Sequence, residues 1–428
     1  MRQAVGDPEL TAAQREMLAG RRGDGAALAM RVIVRLARAL GADRLIPVDS
    51  AHVDGCLFHG QVGIDLVERL IAGGARVAVP TTLNVGSLDL LHPGVVRGDA
   101  AERADARRLM DGYVALGAEP TWTCAPYQLR ERPAYGRHVA WAESNAIVFA
   151  NSVLGARTDR YGDFADICAA VTGSAPYVGL HRDENRAGQV LFDCSRVPAG
   201  AFASDVAWAA LGHLVGRRSG TRVPVLTGLP GDADEDRLKA FGAAAASAGG
   251  VALFHAVGLT PEAPDVATAF GGRAAERRHE VTAADLLAAR DELTTAPDGR
   301  LDAISVGTPH FSVAEFRALA GLVADGPPFD EDIEFWISTS RAVLAEAERN
   351  GDAAACRRAG ARILVDTCTY IAPVLRTSAR VVMTNSAKWA WYAPTNLGID
   401  VVFASLPECV LSARAGRVVR DPGLWRVS

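Results

Sequence analysis

The chain has 428 residues, 49% of them hydrophobic and 22% charged, and a formal net charge of -5 at pH 7. That length can bury a large core without staples. The acidic balance argues against a nucleic-acid binder, which would show a basic patch or stripe.

In chain order, Thr11-Ala-Ala-Gln14 reads as a capping box opening a short helix. A second helix over 26–40 follows from Leu28, Val32, Ile33, Leu36 and Leu40, with Gly41 as its stop. A strand at 44–48, a loop through Asp54 to Gly60, a helix at 63–72 and a strand at 76–79 make a strand-helix-strand unit, the building block of a parallel sheet. The pattern continues with a helix at 101–116 and a strand at 146–150. Further strands are expected at 223–226, 251–255, 302–306, 333–337, 362–365, 380–384 and 401–404, most of them separated by helices such as 236–246, 313–323 and 339–350. The stretch 260–273 is the best linker or loop candidate. The class is α/β, with several parallel sheets flanked by helices. Residues 1–428 are expected to form one family unit of two to three intertwined lobes, changing lobe near 190–220.

Met1 to Leu10 is polar and lacks the apolar region of a secretory signal, and no apolar run reaches the roughly 18 residues of a membrane span, so a cytoplasmic location is expected. The seven cysteines (Cys56, Cys124, Cys168, Cys194, Cys356, Cys368 and Cys409) are odd in number and widely spaced. This favours free thiols, metal ligands or a cluster over a disulfide framework, and the absence of a CxxC pair disfavours a zinc ribbon.

Ligands of open α/β sheets sit beyond the carboxyl ends of the strands. Here those loops read Asp49-Ser-Ala-His52 with Cys56, Pro80-Thr-Thr-Leu-Asn84, Gly307-Thr308-Pro-His310, Asp366-Thr-Cys368-Thr and Thr384-Asn-Ser386-Ala-Lys388. Any one of them is explained by helix capping; together, with two thiols, they point to a site. The segment 121–186 is densest in polar residues, and Arg157 and Arg160 suit bidentate recognition of a carboxylate. The alternative for each Arg is a structural polar network.

The run Glu143-Ser-Asn-Ala-Ile-Val-Phe-Ala-Asn-Ser-Val-Leu-Gly-Ala-Arg-Thr-Asp-Arg160 resembles the signature of the aconitase X family. Thr123 to Tyr127, Asp166 to Gly173, Gly307 to Ser312, Asp366 to Cys368 and Asn385 to Pro394 fit it too, so the resemblance spans nearly the whole chain. It implies an aconitase-like core with its active site between lobes, and a swivelling domain that is absent here and expected on a separate small subunit. Members resembling this chain dehydrate cis-3-hydroxy-L-proline to 1-pyrroline-2-carboxylate; others dehydrate mevalonate 5-phosphate. Thr308, where the archaeal type usually carries Cys, and Phe311 favour the hydroxyproline reading.

The resemblance further implies an iron-sulfur cluster of [2Fe-2S] type held by three thiolates, with mononuclear iron as the alternative. Cys124 and Cys368 are the leading ligands, and Cys56 and Cys168 compete for the third place. Ser386 is the local candidate for the base, with Lys388 to lower its pKa or bind carboxylate and His310 as a proton donor or acceptor. The small subunit is the other possible source of the base. Asn84, Glu143, Ser144, Asn145, Arg157 and Arg160 are the expected substrate contacts. A regulatory or RNA-binding iron-sulfur relative is opposed by the acidic charge, and a zinc hydrolase by the lack of clustered histidines.

Overall fold

The long apolar runs of the second half become the core of a parallel sheet. In the computed structural model, which describes residues 7–421, five parallel strands lie in the order Ala361–Val365, Glu334–Thr339, Ala303–Phe311, Val381–Thr384, Asp400–Phe403. All nine residues of the central strand are buried. A strand covered on both faces reads as a continuous hydrophobic run rather than an alternation. Ile304, Val306 and Phe311 share one core cluster with Phe316 and Leu319 of helix Val313–Ala324. The rings of Phe311 and Phe316 meet edge to face at 5.6 Å.

The chain divides into two compact units. The first contains residues up to 88 and 98–187; the second contains 89–97 and everything from 188 onward. The first holds a three-stranded parallel sheet, Thr81–Leu83, Ala51–Val53 and Ala140–Trp141, and an antiparallel pair, Leu45–Pro47 with Ser174–Pro176. The second adds to the five-stranded sheet a four-stranded parallel one in the order His255–Ala256, Pro224–Thr227, Val190–Asp193, Arg277–Glu280.

The α/β reading with several parallel sheets holds, and so does the capping box, in which Thr11 and Gln14 cap each other at helix Ala12–Leu18. Three expectations are corrected. The 146–150 strand is instead part of helix Ser144–Ser152, which is buried on every side except Ser144 and capped by the Glu143 carboxylate on the Ala146 N–H at 2.8 Å. A short, wholly apolar run carries no period that separates buried helix from buried strand. The 76–79 strand lies four to five residues too early, since the strand observed is Thr81–Leu83. The stretch 260–273 is a loop carrying a short helix, Val266–Ala269, inside the second unit rather than a linker. The polar stretch 1–6 lies outside the described residues.

The inserted segment 89–97 is fastened to its own unit by polar contacts, the one from Asp89 buried. Asp89 accepts the Val365 N–H at 3.1 Å, the Leu90 N–H donates to Asp366 at 3.1 Å, and the Arg97 N–H donates to the Pro373 carbonyl at 2.9 Å. Asp366 has a left-handed φ of 64°, a conformation that Asp tolerates better than most residues. Arg341 holds it with two hydrogen bonds at 2.7 and 2.5 Å. This turn sets the direction of the loop that carries Cys368.

After Val306 the central strand leaves its ladder with the Glu334–Thr339 strand, and pairing resumes only at Phe311 with Thr339. Gly307 makes the departure with φ 88°, and a Cβ there would lie 2.1 Å from the Ser338 carbonyl oxygen. Gly307→Ala should therefore destabilise the protein by about 2 kcal/mol or more, from strain plus contact. The check is a lowered urea midpoint without a change in the slope of the transition.

Candidate functional site

Residues 307–310 lie outside the ladder with the Glu334–Thr339 strand, so their carbonyls need other donors. Ser386 Oγ donates to the Thr308 carbonyl, Lys239 Nζ to the His310 carbonyl at 3.4 Å, and Thr339 Oγ1 to the Phe311 carbonyl at 2.9 Å. Ser386 also accepts the Trp389 N–H at 3.0 Å as the N-cap of helix Ala387–Leu397. Its hydroxyl is thus engaged both as donor and as acceptor. Around this strand end lies a cavity of about 260 Å³, lined among others by Thr308, Ser386, Lys388, Lys239, Asp236 and Glu315. Every lining residue belongs to the second unit.

Thr308 Oγ1 stands 3.0 Å from Cys368 Sγ. Burial pushes the Cys368 thiol up, while Thr308, the Tyr370 N–H and the charge of Lys388 pull it toward the thiolate. His310 is fully buried, with Nε2 3.3 Å from the Thr367 carbonyl, and is not among the cavity-lining residues.

Lys239 is 2% exposed. It meets Asp236 at 2.8 Å and also Glu315, whose N–H is in turn capped by Ser312. Burial and the neighbouring Asp236 raise the Glu315 carboxyl to about 7 against the opposing pull of Lys239, whereas Lys239 and Ser312 hold Asp236 below its ordinary value.

The first unit gathers a different set at its strand ends. Asp54 follows Ala51–Val53, and the Asn84 side-chain amide, after Thr81–Leu83, donates to it. Asp166 accepts the Asp54 N–H at 2.7 Å. Burial, then Glu143 and Asp166, raise Asp54 to about 7; burial raises Asp166 to about 6. His52, bonded to Thr82 at 2.8 Å, is lowered by burial to about 4. Among the described residues, the buried Asn84 Oδ1 has no hydrogen-bond partner.

Cys124 is buried, and its carbonyl accepts from Asn145 at 2.6 Å. Asn145 also donates to Glu143 and accepts from Tyr127 at 2.7 Å, so its amide is taken up by the fold. Ser144 bonds Glu143 at 3.1 Å. Arg157 grips Asp183 at 2.9 and 2.5 Å, while Arg160 is exposed. Cys56 points its thiol at the Val53 carbonyl at 3.5 Å, and burial with Asp166 and Asp54 beside it raises its pKa. Cys168 is pushed up to about 12 by burial and Asp166. Both environments favour the protonated thiol. Among the described residues, no three His, Cys, Asp or Glu side chains converge closely enough to hold a metal ion.

Three family models cover most of the chain: the aconitase X first domain matches residues 7–184, the second domain 188–291 and the third domain 301–415. The chain belongs to the aconitase X family. It is 44% identical over 421 residues to a cis-3-hydroxy-L-proline dehydratase of Pseudomonas aeruginosa, an alignment covering 98% of this chain and 72% of that one. It is 37% identical to a phosphomevalonate dehydratase large subunit of Methanothermobacter thermautotrophicus, covering 93% of this chain and 97% of that one. The crystal structure of Thermococcus kodakaraensis aconitase X in its holo form superposes with a TM-score of 0.84 at 33% identity, covering 95% of this chain and all of that one.

Within this aconitase X chain, Thr308, Ser386, Lys388 and Cys368 lie around one strand end. Asp54, Asp166, Lys239, Asp236 and Glu315 were not read as site residues. Their sequence signal was faint: Asp54 and Asp166 follow or sit inside apolar runs, and Glu315 is legible only as the third residue of a Ser-x-x-Glu capping box.

The raised Asp54 carboxyl makes a pH prediction. Because its folded value of about 7 exceeds the ordinary 3.8, the folded chain binds more protons than the unfolded chain between these values. Stability from this group is therefore greatest at the acid end and is lost as pH rises from about 4 to about 7. Asp54→Asn should flatten that part of the profile and melt above the unsubstituted protein at a pH above about 7. Thermal melts of the pair across this window provide the check, and the opposite trend from His52 cancels in the comparison.

Proposed function

We propose that this chain is a hydro-lyase that removes water from cis-3-hydroxy-L-proline to give 1-pyrroline-2-carboxylate. The observation that carries this reading is the composition of the second-unit cavity. Its wall offers Asp205, Asp234, Asp236 and Glu315 against Arg237, Lys239 and Lys388. Lys239 is already shared by two carboxylates. A wall without surplus positive charge suits a zwitterionic amino acid, whereas a phosphorylated hydroxy acid would need additional cations to offset its dianion. This favours the amino-acid substrate over mevalonate 5-phosphate, the runner-up within the family.

In this proposal Lys388 receives the substrate carboxylate. Ser386, by capping its helix and holding the Thr308 carbonyl, fixes the wall that Lys388 projects from. Cys368 is the thiol we assign to iron: burial raises it, but the Thr308 hydroxyl at 3.0 Å and the Lys388 charge oppose that rise. Iron bound there, in a cluster or alone, would supply Lewis acidity to a departing hydroxide. Relatives named as large subunits support a companion small subunit for this chain. A cytoplasmic setting is proposed with it; among the described residues no helix is long and apolar enough to cross a membrane.

The test is anaerobic purification with iron and the companion small subunit, then turnover of cis-3-hydroxy-L-proline followed as water loss. Lack of turnover by the iron-loaded pair would remove the reading. Lys388→Ala should lower kcat/KM by about 100-fold or more, the usual range for losing a buried charge partner. Cys368→Ser should lose bound iron and its visible absorption, and unchanged iron content would reject that ligand.

A further inference from the structure

The cavity wall contains one carboxyl group whose proton affinity and geometry go beyond a structural ion pair. Glu315 Oε2 accepts the Ser312 N–H at 2.8 Å and the Lys239 ammonium, while Oε1 accepts no hydrogen bond among the described residues. The residue lines the cavity. Its anchored oxygen fixes the plane of the carboxyl group, and the other oxygen is left to a ligand. Lys239 is itself held by Asp236 at 2.8 Å and by the His310 carbonyl, and Ser312 Oγ donates to Asp236 at 2.6 Å. Three side chains, Asp236 and Lys239 of helix Glu235–Gly249 and Ser312 at the start of helix Val313–Ala324, thus over-determine where this carboxyl lies.

We propose that Glu315 is a proton-transfer residue of this cavity, with Lys239 and Asp236 as the residues that position it. The inference rests on the dehydratase reading above. The groups facing Glu315 are Lys239 and Asp236 from one helix, Ser312 and the His310 carbonyl from the strand end, and Asp205, Asp234, Arg237 and Lys388 around the cavity. Among these, Lys239 is raised and Asp236 is lowered, so both keep their charges at neutral pH, while Glu315 titrates at about 7. A group that titrates near the working pH is the efficient choice for moving a proton.

The step balances as follows. The Glu315 carboxylate takes the proton from the carbon that carries the substrate carboxylate. The C–H electron pair becomes a carbon-carbon double bond, the adjacent C–O bond breaks and its pair leaves as hydroxide; the enamine so formed then tautomerises in solvent, losing its N–H proton and gaining one at the carbon that lost hydroxide, to give the imine 1-pyrroline-2-carboxylate. Glu315 then returns the proton through solvent to that hydroxide, releasing one water and restoring the carboxylate.

The decisive variant is Glu315→Gln, because glutamine also serves at the third position of a capping box. In the iron-loaded protein with its small subunit, we expect kcat to fall by about 100-fold or more, within the usual range for a lost general base. KM should change little, the acid limb of the pH-rate profile near neutrality should vanish, and exchange of the substrate's carbon-bound proton with deuterated solvent should stop. Retained kcat with an unchanged acid limb would overturn the proposal while leaving the dehydratase reading intact. Absence of turnover by the unsubstituted protein would instead remove that reading and this step with it. Should Glu315→Gln fail to fold, Lys239→Arg keeps the charge but moves its hydrogen bonds. A shifted acid limb at constant KM supports the proposal, and an unmoved limb refutes it.

Discussion

The second unit depends on how it ends one strand. A parallel strand that stops at its ladder leaves no unpaired carbonyls behind, but Ala303–Phe311 continues past the point where pairing breaks. Each displaced carbonyl is an obligation in a buried setting. Ser386, Lys239 and Thr339 discharge three of them. Two of these side chains are cavity walls. The polarity of the cavity and the completion of the sheet are therefore one arrangement, and the reactive-looking residues are there in part because the backbone needs them.

This dual use explains what the sequence could and could not convey. The strand, the loop chemistry after it and the thiol of Cys368 were all legible, because each is local. Ser386 illustrates the limit: a serine after a strand and before a helix predicts a cap, and the cap is present, yet the same hydroxyl also holds a carbonyl 78 residues away in sequence. Glu315 was hidden for a related reason. Its proton affinity comes from burial and from Asp236, 79 residues earlier, and no local pattern records that distance. Asn145 shows what a local pattern omits: the amide expected to contact substrate also bonds the Cys124 carbonyl, Glu143 and Tyr127 within the fold. The helix Ser144–Ser152 was mistaken for a strand because burial on nearly all sides erases the periodicity from which helices are recognised.

The two units treat buried charge in opposite ways. In the first, burial, with Glu143 and Asp166 adding to it at Asp54, leaves Asp54 and Asp166 as carboxyls that keep their protons unusually long. In the second, a lysine is enclosed by two carboxylates, and the competition leaves one of them ionised and the other near its midpoint. A buried ion pair adds little net stability compared with apolar packing. Retaining such groups costs folding free energy, which is reason to look for their use in chemistry rather than in stability.

The short segment 89–97 has a consequence for the life of the chain before it is folded. It leaves the first unit, supplies Asp89 and the Leu90 and Arg97 N–H groups to the second, and returns. Its partners Val365, Asp366 and Pro373 are synthesised more than 260 residues later. During translation the first unit must close around a loop whose docking surface does not yet exist. A fragment beginning at residue 188 would lack the acceptor for Val365 and one of the donors to Asp366. The second unit is thus discontinuous in the gene but continuous in its hydrogen bonding, and a clean cut between the family's first and second domains would divide a sequence without dividing a structure.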